Sequence, residues 1–236
     1  LVTLLRSLHP DIPVLTEGDA SPSFHMFTPM ISLMRAFQTE VDSIPAYAAY
    51  LRPDPERVAH WRRRLGPSDK LRVGLVWSGG FRKELPSVWS VNRRRNIALE
   101  RLAHLNVPDV EFFSLQKGEE GEEQLRRVRE AGWSGPDIVD HTADLHDFSE
   151  TAALIDCLDL VIAVDTSTAH VAAAIGKPVW MLNRFDTCWR WLLGREDTPW
   201  YPTMRLYRQD AEDAWEPVVE RVRDDLQALV ARRQAA

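Results

Sequence analysis

From Leu71 onward, short apolar runs alternate with amphipathic stretches, and this alternation constrains the fold more than any other feature of the chain. The runs are Leu71–Trp77, Val110–Leu115, Asp137–Val139, Leu160–Val164, Pro178–Leu182 and Met204–Tyr207. Helical patterns fall between them at Ala98–Leu105, Glu119–Ala131, Glu150–Leu158 and Thr168–Ile175. A final helix spans about Glu216–Ala231, where Val218, Val219, Val222, Leu226, Leu229 and Val230 recur at helical spacing behind Pro217. Strands that are apolar at nearly every position must be covered on both faces, which is the habit of parallel sheets. The expected class is therefore α/β, a Rossmann-like doubly wound parallel sheet over residues 68–236.

The first fifty residues lack this regularity. Leu1–Leu8 reads as the tail of an amphipathic helix and Ile12–Leu15 as a short strand, followed by an apolar segment closed by Pro29. Pro45, Pro53 and Pro55 then punctuate the chain. Residues 1–50 are expected to be the end of an incomplete N-terminal domain, and residues 51–67 a linker helix. Asp54 should cap that helix, Pro55 should occupy its first position and Gly66 should stop it. The Arg62–Arg64 run reads as its solvated last turn.

Charge and cysteine content exclude several functions. Twenty-nine basic residues face 35 acidic ones, a net of −6, so a nucleic-acid partner is not expected. No apolar run approaches the roughly 18 residues of a membrane-spanning helix. Cys157 and Cys188 cannot build a disulfide framework or a metal site by spacing, and a cytoplasmic location is expected.

In an open parallel sheet, ligands bind beyond the carboxyl ends of the strands. Three such ends stand out. The first is Val164-Asp165-Thr166-Ser167-Thr168-Ala169-His170, where a buried strand turns into a helix rich in alanine that Gly176 terminates. The first amides of that helix, with the hydroxyls of Thr166, Ser167 and Thr168, can hold an anion without net charge. The plainer alternative is that one of these hydroxyls only caps the helix. Asp165 should fix the turn, and His170 either donates to a ligand or satisfies the turn.

The second end is Ser78-Gly79-Gly80, followed by Arg82 and Lys83 and then by Arg93 to Arg95. Glycine lets backbone approach a phosphate, and arginine clamps its oxygens in a fork. The third is Ser114-Leu115-Gln116-Lys117-Gly118, where Lys117 could reach a phosphate and Gln116 a sugar or base edge. The carboxylates and imidazoles of Asp140–Asp147 lack a zinc spacing, so no metal is expected. Among the tryptophans, Trp189-Arg190-Trp191 lies close behind a strand end and could border a ligand.

These segments resemble a known family. Val164–Trp180 is similar to the Asp-Thr-x-x-x-His-x-x-x-Ala segment of the heptosyltransferase-like glycosyltransferases of family 9, most closely to bacterial domains preceded by tetratricopeptide repeats. Trp189–Pro202, Leu71–Gly79 and Ser114–Gly118 look like further blocks of the same family. The resemblance implies the carboxyl-terminal half of a GT-B fold, holding a nucleotide-diphosphate sugar with no metal or other cofactor. It places Thr166, Ser167, Thr168 and His170 along the diphosphate, with Lys117 and the loop Ser78–Arg95 completing the donor site; together with the strand-end reading, the candidate donor residues are Ser78, Gly79, Arg93, Arg95, Gln116, Lys117, Asp165, Thr166, Ser167, Thr168, His170 and Arg190.

Two departures matter. Ser167 stands where heptosyltransferases usually show glycine, and Phe27 where the repeat-linked relatives tend to have histidine. The family commonly places its acceptor groove and catalytic base in the first domain, so no catalytic residue is assigned in this chain. The expectation is a glycosyltransferase domain that transfers a sugar to a protein, lipid or polysaccharide acceptor. The alternative is a non-catalytic relative that binds a nucleotide or a partner.

Overall fold

The structure is a computed structural model that describes residues 1–80 and 89–235; Arg82 and Lys83 fall outside the described residues. Six parallel strands form one sheet: β1 (Leu71–Val76), β2 (Val110–Ser114), β3 (Ile138–Asp140), β4 (Leu160–Val164), β5 (Val179–Asn183) and β6 (Met204–Arg208). Their order is β3-β2-β1-β4-β5-β6, the doubly wound arrangement expected from the sequence. The order reverses between β1 and β4, whose register sets Val73 against Leu160 and Val76 against Ala163. The strand ends Trp77 and Asp165 therefore open side by side.

The helices are α1 (Val2–Leu5), α2 (Leu33–Ala36), α3 (Pro55–Leu65), α4 (Trp89–Arg95), α5 (Glu119–Glu130), α6 (Phe148–Asp156), α7 (Ser167–Ala174) and α8 (Glu216–Gln234). Alternate strand residues feed two cores. Val76, Phe113, Val161, Ala163, Met181 and Leu206 pack against Trp61 of α3, the alanines of α7 and residues 152–155 of α6. Val73, Leu75, Phe112, Ile162, Val164 and Leu182 face the opposite way, against α5, α8 and the 3-10 turns at Leu99–Leu105. Near-continuous apolar strands thus follow from a sheet buried on both sides.

Local chemistry explains the helix starts. The Asp54 carboxylate accepts from the amides of Glu56 and Arg57, Pro55 fills the first helical position, and Gly66 ends the helix at φ +66°. Asp147 caps α6 in the same way, accepting from Ser149 at 2.7 Å and Glu150 at 2.9 Å. The Arg62–Arg64 run does more than end α3 in solvent. Arg62 pairs with Asp156 at 3.0 Å and Arg64 with Asp144 at 2.7 Å. With Arg57 on Glu150 at 2.6 Å, these pairs tie α3 to the α6 side of the sheet.

Three sequence expectations need correction. Ile12–Leu15 forms no strand: Pro13 lies inside it and Pro10 just before it, Ile12 and Leu15 are exposed, and no strand pairs with it. Only Val2–Leu5 of the first eight residues is helical, although Leu4 reaches the core. Residues 99–105 form 3-10 turns rather than an α-helix, and Trp89–Arg95 is a helix that the polar, arginine-rich sequence does not reveal.

Candidate functional site

The crevice lies where the fold predicts, across the ends of β1, β4 and β5. One hollow of about 520 Å³ is lined by Val91, Arg95, Asp165, Thr166, Ser167, His170, Arg184, Cys188 and Arg190. It adjoins a second of about 380 Å³, which shares Arg95, Thr166 and Ser167 and adds Gly79, Gly80 and Asn92. A third, of about 540 Å³, continues from Gly79 and Gly80 to Gln116, Lys117 and the first turn of α5.

Its centre is the start of α7. Thr166 stands in the capping position with extended backbone, φ −138° and ψ 164°, yet its side chain caps nothing. The Thr166 hydroxyl is buried and makes no hydrogen bond. A hydroxyl kept out of water without a partner is destabilising unless something else satisfies it. The simple capping alternative therefore has no hydrogen bond to support it, and Thr166 and Ser167 at the helix start line the hollow.

Three arginines, Arg95, Arg184 and Arg190, and one carboxylate residue, Asp165, line this hollow. Asp186 holds Arg184 at 2.8 Å and Arg94 at 2.8 Å, tying the segment after β5 to α4. Arg190 lies 4.8 Å over the Trp189 ring and donates to the Cys188 sulfur at 3.1 Å. The Arg95 guanidinium rests on Gly79, where any Cβ would collide with it, and donates to Asn92 Oδ1 at 2.6 Å. The Gly79 amide in turn donates to Asn96 Oδ1 at 2.8 Å. An opening with this balance of charge suits an anion.

Asp165 is held ionised inside it. Burial alone would raise its carboxyl, but His170 and the Trp191 indole N–H, 3.0 Å from Oδ2, outweigh that with help from Arg95 and leave it below its usual value. His170 packs face to face with Trp191, ring centroids 5.4 Å apart. Its Nδ1 lies 2.9 Å from the Tyr201 hydroxyl, and its Nε2 3.6 Å from Asp165 Oδ1. Burial, together with a hydrogen bond to Tyr50, pushes the Tyr201 phenol far above its ordinary range.

The sequence-selected residues separate into groups. Arg95, Asp165, Thr166, Ser167, His170 and Arg190 come together. Gly79 joins them through the neighbouring hollow. Thr168 sits in the first turn of α7, half-buried, but lines neither hollow. Arg93 is exposed and also lines neither.

Gln116 is buried and fully engaged. Its oxygen accepts from the amides of Trp77 (3.1 Å) and Ser78 (2.9 Å), and its NH₂ donates to the carbonyls of Ser78 (3.0 Å) and Lys117 (3.1 Å). It braces the β1 and β2 loops, with Ser78 buried beneath, and its amide has no group left for a sugar or base edge. Lys117 lies at the far end of the cleft, donating to the Thr142 carbonyl at 2.9 Å and 3.6 Å from Glu122. Arg184 was not singled out from the sequence, although a cation directly after a strand end was the available signal. Among the described residues, no group of three or more His, Cys, Asp or Glu could hold a metal, and no helix is long and apolar enough to cross a membrane.

The stretch from Lys117 to Asn183 contains α5, β3, α6, β4, α7 and β5, and with them the open helix start. Residues 117–183 match the family model of glycosyltransferase family 9 (heptosyltransferase). Protein FlbA of Caulobacter vibrioides is 36% identical over 198 residues, 80% of this chain and 31% of that protein. The chain thus spans about a third of the length of this curated relative. Among solved structures, Escherichia coli ADP-heptose lps heptosyltransferase II superposes with a TM-score of 0.52 at 13% identity, covering 82% of this chain and 57% of that one. Escherichia coli heptosyltransferase WaaC with ADP gives 0.48 at 13% identity, covering 72% and 48%. The first of these likenesses establishes the fold: a six-stranded parallel sheet with flanking helices, as in GT-B glycosyltransferases.

Proposed function

We propose that residues 68–236 form the donor-binding half of a GT-B glycosyltransferase and hold the diphosphate of a nucleotide sugar at the start of α7. The observation that carries this reading is the buried Thr166 hydroxyl, which neither caps its helix nor bonds elsewhere. The helix dipole, the first amides of α7 and the guanidinium groups of Arg95, Arg184 and Arg190 then supply fixed positive charge. As the bond between sugar and diphosphate breaks, negative charge grows on the leaving group, and preorganised donors at that place lower the barrier. In this reading they take the role a divalent metal has elsewhere, and the acceptor is a protein, lipid or polysaccharide in a bacterial cytoplasm. Residues 1–50 would belong to the first GT-B domain, and tetratricopeptide repeats would precede the catalytic unit.

The experiment is a calorimetric titration with UDP, GDP, ADP and CMP. One nucleoside diphosphate should bind in preference to the others, and Thr166→Val should weaken it while the protein stays folded. Equal affinity in a folded Thr166→Val protein would overturn the assignment of the site. The non-catalytic alternative is separated by turnover, since it predicts binding without release of free nucleotide from any sugar donor.

A further inference from the structure

The anion site makes no use of Trp189, a large aromatic side chain at its edge. Trp189 is 52% exposed, yet both of its chain neighbours, Cys188 and Arg190, line the main hollow. The turn Trp189–Trp191 sends its two tryptophans in different directions. Trp191 is buried and donates its indole N–H to Asp165 at 3.0 Å, whereas Trp189 stays at the rim.

A single exposed tryptophan on a loose loop is ordinary. Trp189 is instead held in place. Its ring lies nearly perpendicular to that of Trp200, centroids 6.0 Å apart, and the Arg190 guanidinium lies over it at 4.8 Å. The segment that leads to it is fastened from two buried amides. The Phe185 amide donates to Gln209 Oε1 at 2.9 Å, and the Thr187 hydroxyl to Asn183 Oδ1 at 2.7 Å. With Trp191 pinned to Asp165 behind it, the indole loses little freedom when a ligand arrives, which favours binding.

Chemistry narrows what this surface can hold. The face of an indole carries negative π charge and attracts positively polarised C–H bonds. A pyranose ring presents several such bonds together on one face. A nucleotide sugar held by its diphosphate at α7 reaches in two directions, with the nucleoside on one side and the sugar on the other. The nucleoside, two rings long, needs the separate hollow of about 540 Å³ that runs from Gly79 to the first turn of α5. The sugar, one ring long, then lies towards the opposite rim, where Trp189 stands. A ring that is to be transferred must also meet its acceptor, and this rim is open: Phe185, next in the chain to the hollow-lining Arg184, is exposed as well.

We propose that Trp189 is the platform for the sugar ring of the donor, and so a specificity-determining residue of this site. The inference deepens the diphosphate reading and rests on it.

The test is titration calorimetry of wild type, Trp189→Ala and Trp189→Phe. The probes are pyrophosphate, the diphosphates UDP, GDP and ADP, and their glucose conjugates UDP-glucose, GDP-glucose and ADP-glucose. Trp189→Ala should weaken the glucose conjugate that binds by about fivefold, the size of one aromatic contact, and leave pyrophosphate and the bare nucleoside diphosphate within about twofold. Trp189→Phe keeps an aromatic face and should recover most of the loss. The indole ¹⁵N–H signal of Trp189, identified by its absence in Trp189→Phe, should move with the conjugate and stay in place with pyrophosphate.

Equal weakening of conjugate and bare nucleoside diphosphate would put the base at the rim. Equal weakening of pyrophosphate would mean that Trp189 acts through Arg190. An unchanged conjugate, or one that wild type rejects while binding its bare diphosphate, would leave the rim without a sugar. Each of these outcomes would overturn this inference and leave the diphosphate reading standing. Failure of pyrophosphate and of all three nucleoside diphosphates to bind wild type would overturn both.

Discussion

The starts of α6 and α7 differ in a way that separates holding a fold from holding a ligand. At α6, Asp147 accepts from two helix amides, and Arg57 lies against Asp147 at 3.4 Å and Glu150 at 2.6 Å. That end is closed by its own side chains. At α7, the capping residue carries a hydroxyl that makes no bond, and three arginines line the hollow beside it. Both are eight- or nine-residue helices on the same side of one sheet. The difference teaches that the chain can cap a helix well and does not do so at the crossover point of the sheet.

The largest expected effect bears on the open start. Arg184→Ala combined with Arg190→Ala should lower pyrophosphate affinity by roughly 100-fold, on the basis of two charge-assisted hydrogen bonds worth about 1.5 kcal/mol each. Titration calorimetry checks this, and a loss below about threefold would remove the arginines from the site. Next comes the closed start. Asp147→Ala should cost about 1–2 kcal/mol in urea denaturation and leave pyrophosphate affinity unchanged.

Thr166→Val inverts that pattern. It should weaken pyrophosphate by about fivefold, near 1 kcal/mol, while stability stays within about 0.5 kcal/mol because no hydrogen bond is lost on folding. A stability loss as large as that of Asp147→Ala would mean that Thr166 caps its helix after all.

The smallest effect concerns acid stability. A carboxyl held below its unfolded value adds stability that is fully present above about pH 4 and disappears as pH falls towards the folded value. Asp165→Asn should therefore flatten the acid side of the stability curve below about pH 4. An acid limb identical to wild type would contradict the ionised state assigned to Asp165.

Much of the architecture is legible in the sequence because burial on both faces leaves an unmistakable trace. Runs such as Leu160–Val164 can be little other than central parallel strands, and the alanines after Thr168 announce a helix pressed against the sheet. The site is legible only where it coincides with strand ends. Asp165, Thr166, Ser167 and His170 lie close together in the chain and line one hollow.

Other parts depend on neighbours that periodicity cannot specify. Gln116 looks like a ligand-facing amide, but β1 and β2 pairing brings the Trp77 and Ser78 amides onto it. Tyr50 and Tyr201 are 151 residues apart, and only the crossing of the N-terminal segment over α7 unites them. The misread strand at Ile12–Leu15 shows the converse, since a β-like pattern without a partner edge does not form a strand. Residues 24–37 illustrate the same limit: Phe24, Met26, Phe27, Met30 and Phe37 are exposed, in contrast to Leu51, Val58 and Trp61 just beyond them.

The most direct test of the open helix start is a backbone amide NMR titration with pyrophosphate. The amides of Ser167, Thr168 and Ala169 should shift in proportion to occupancy, while those of Ser149 and Glu150 under the Asp147 cap stay fixed. Saturation that leaves the α7 amides unmoved would contradict the account and place the anion elsewhere.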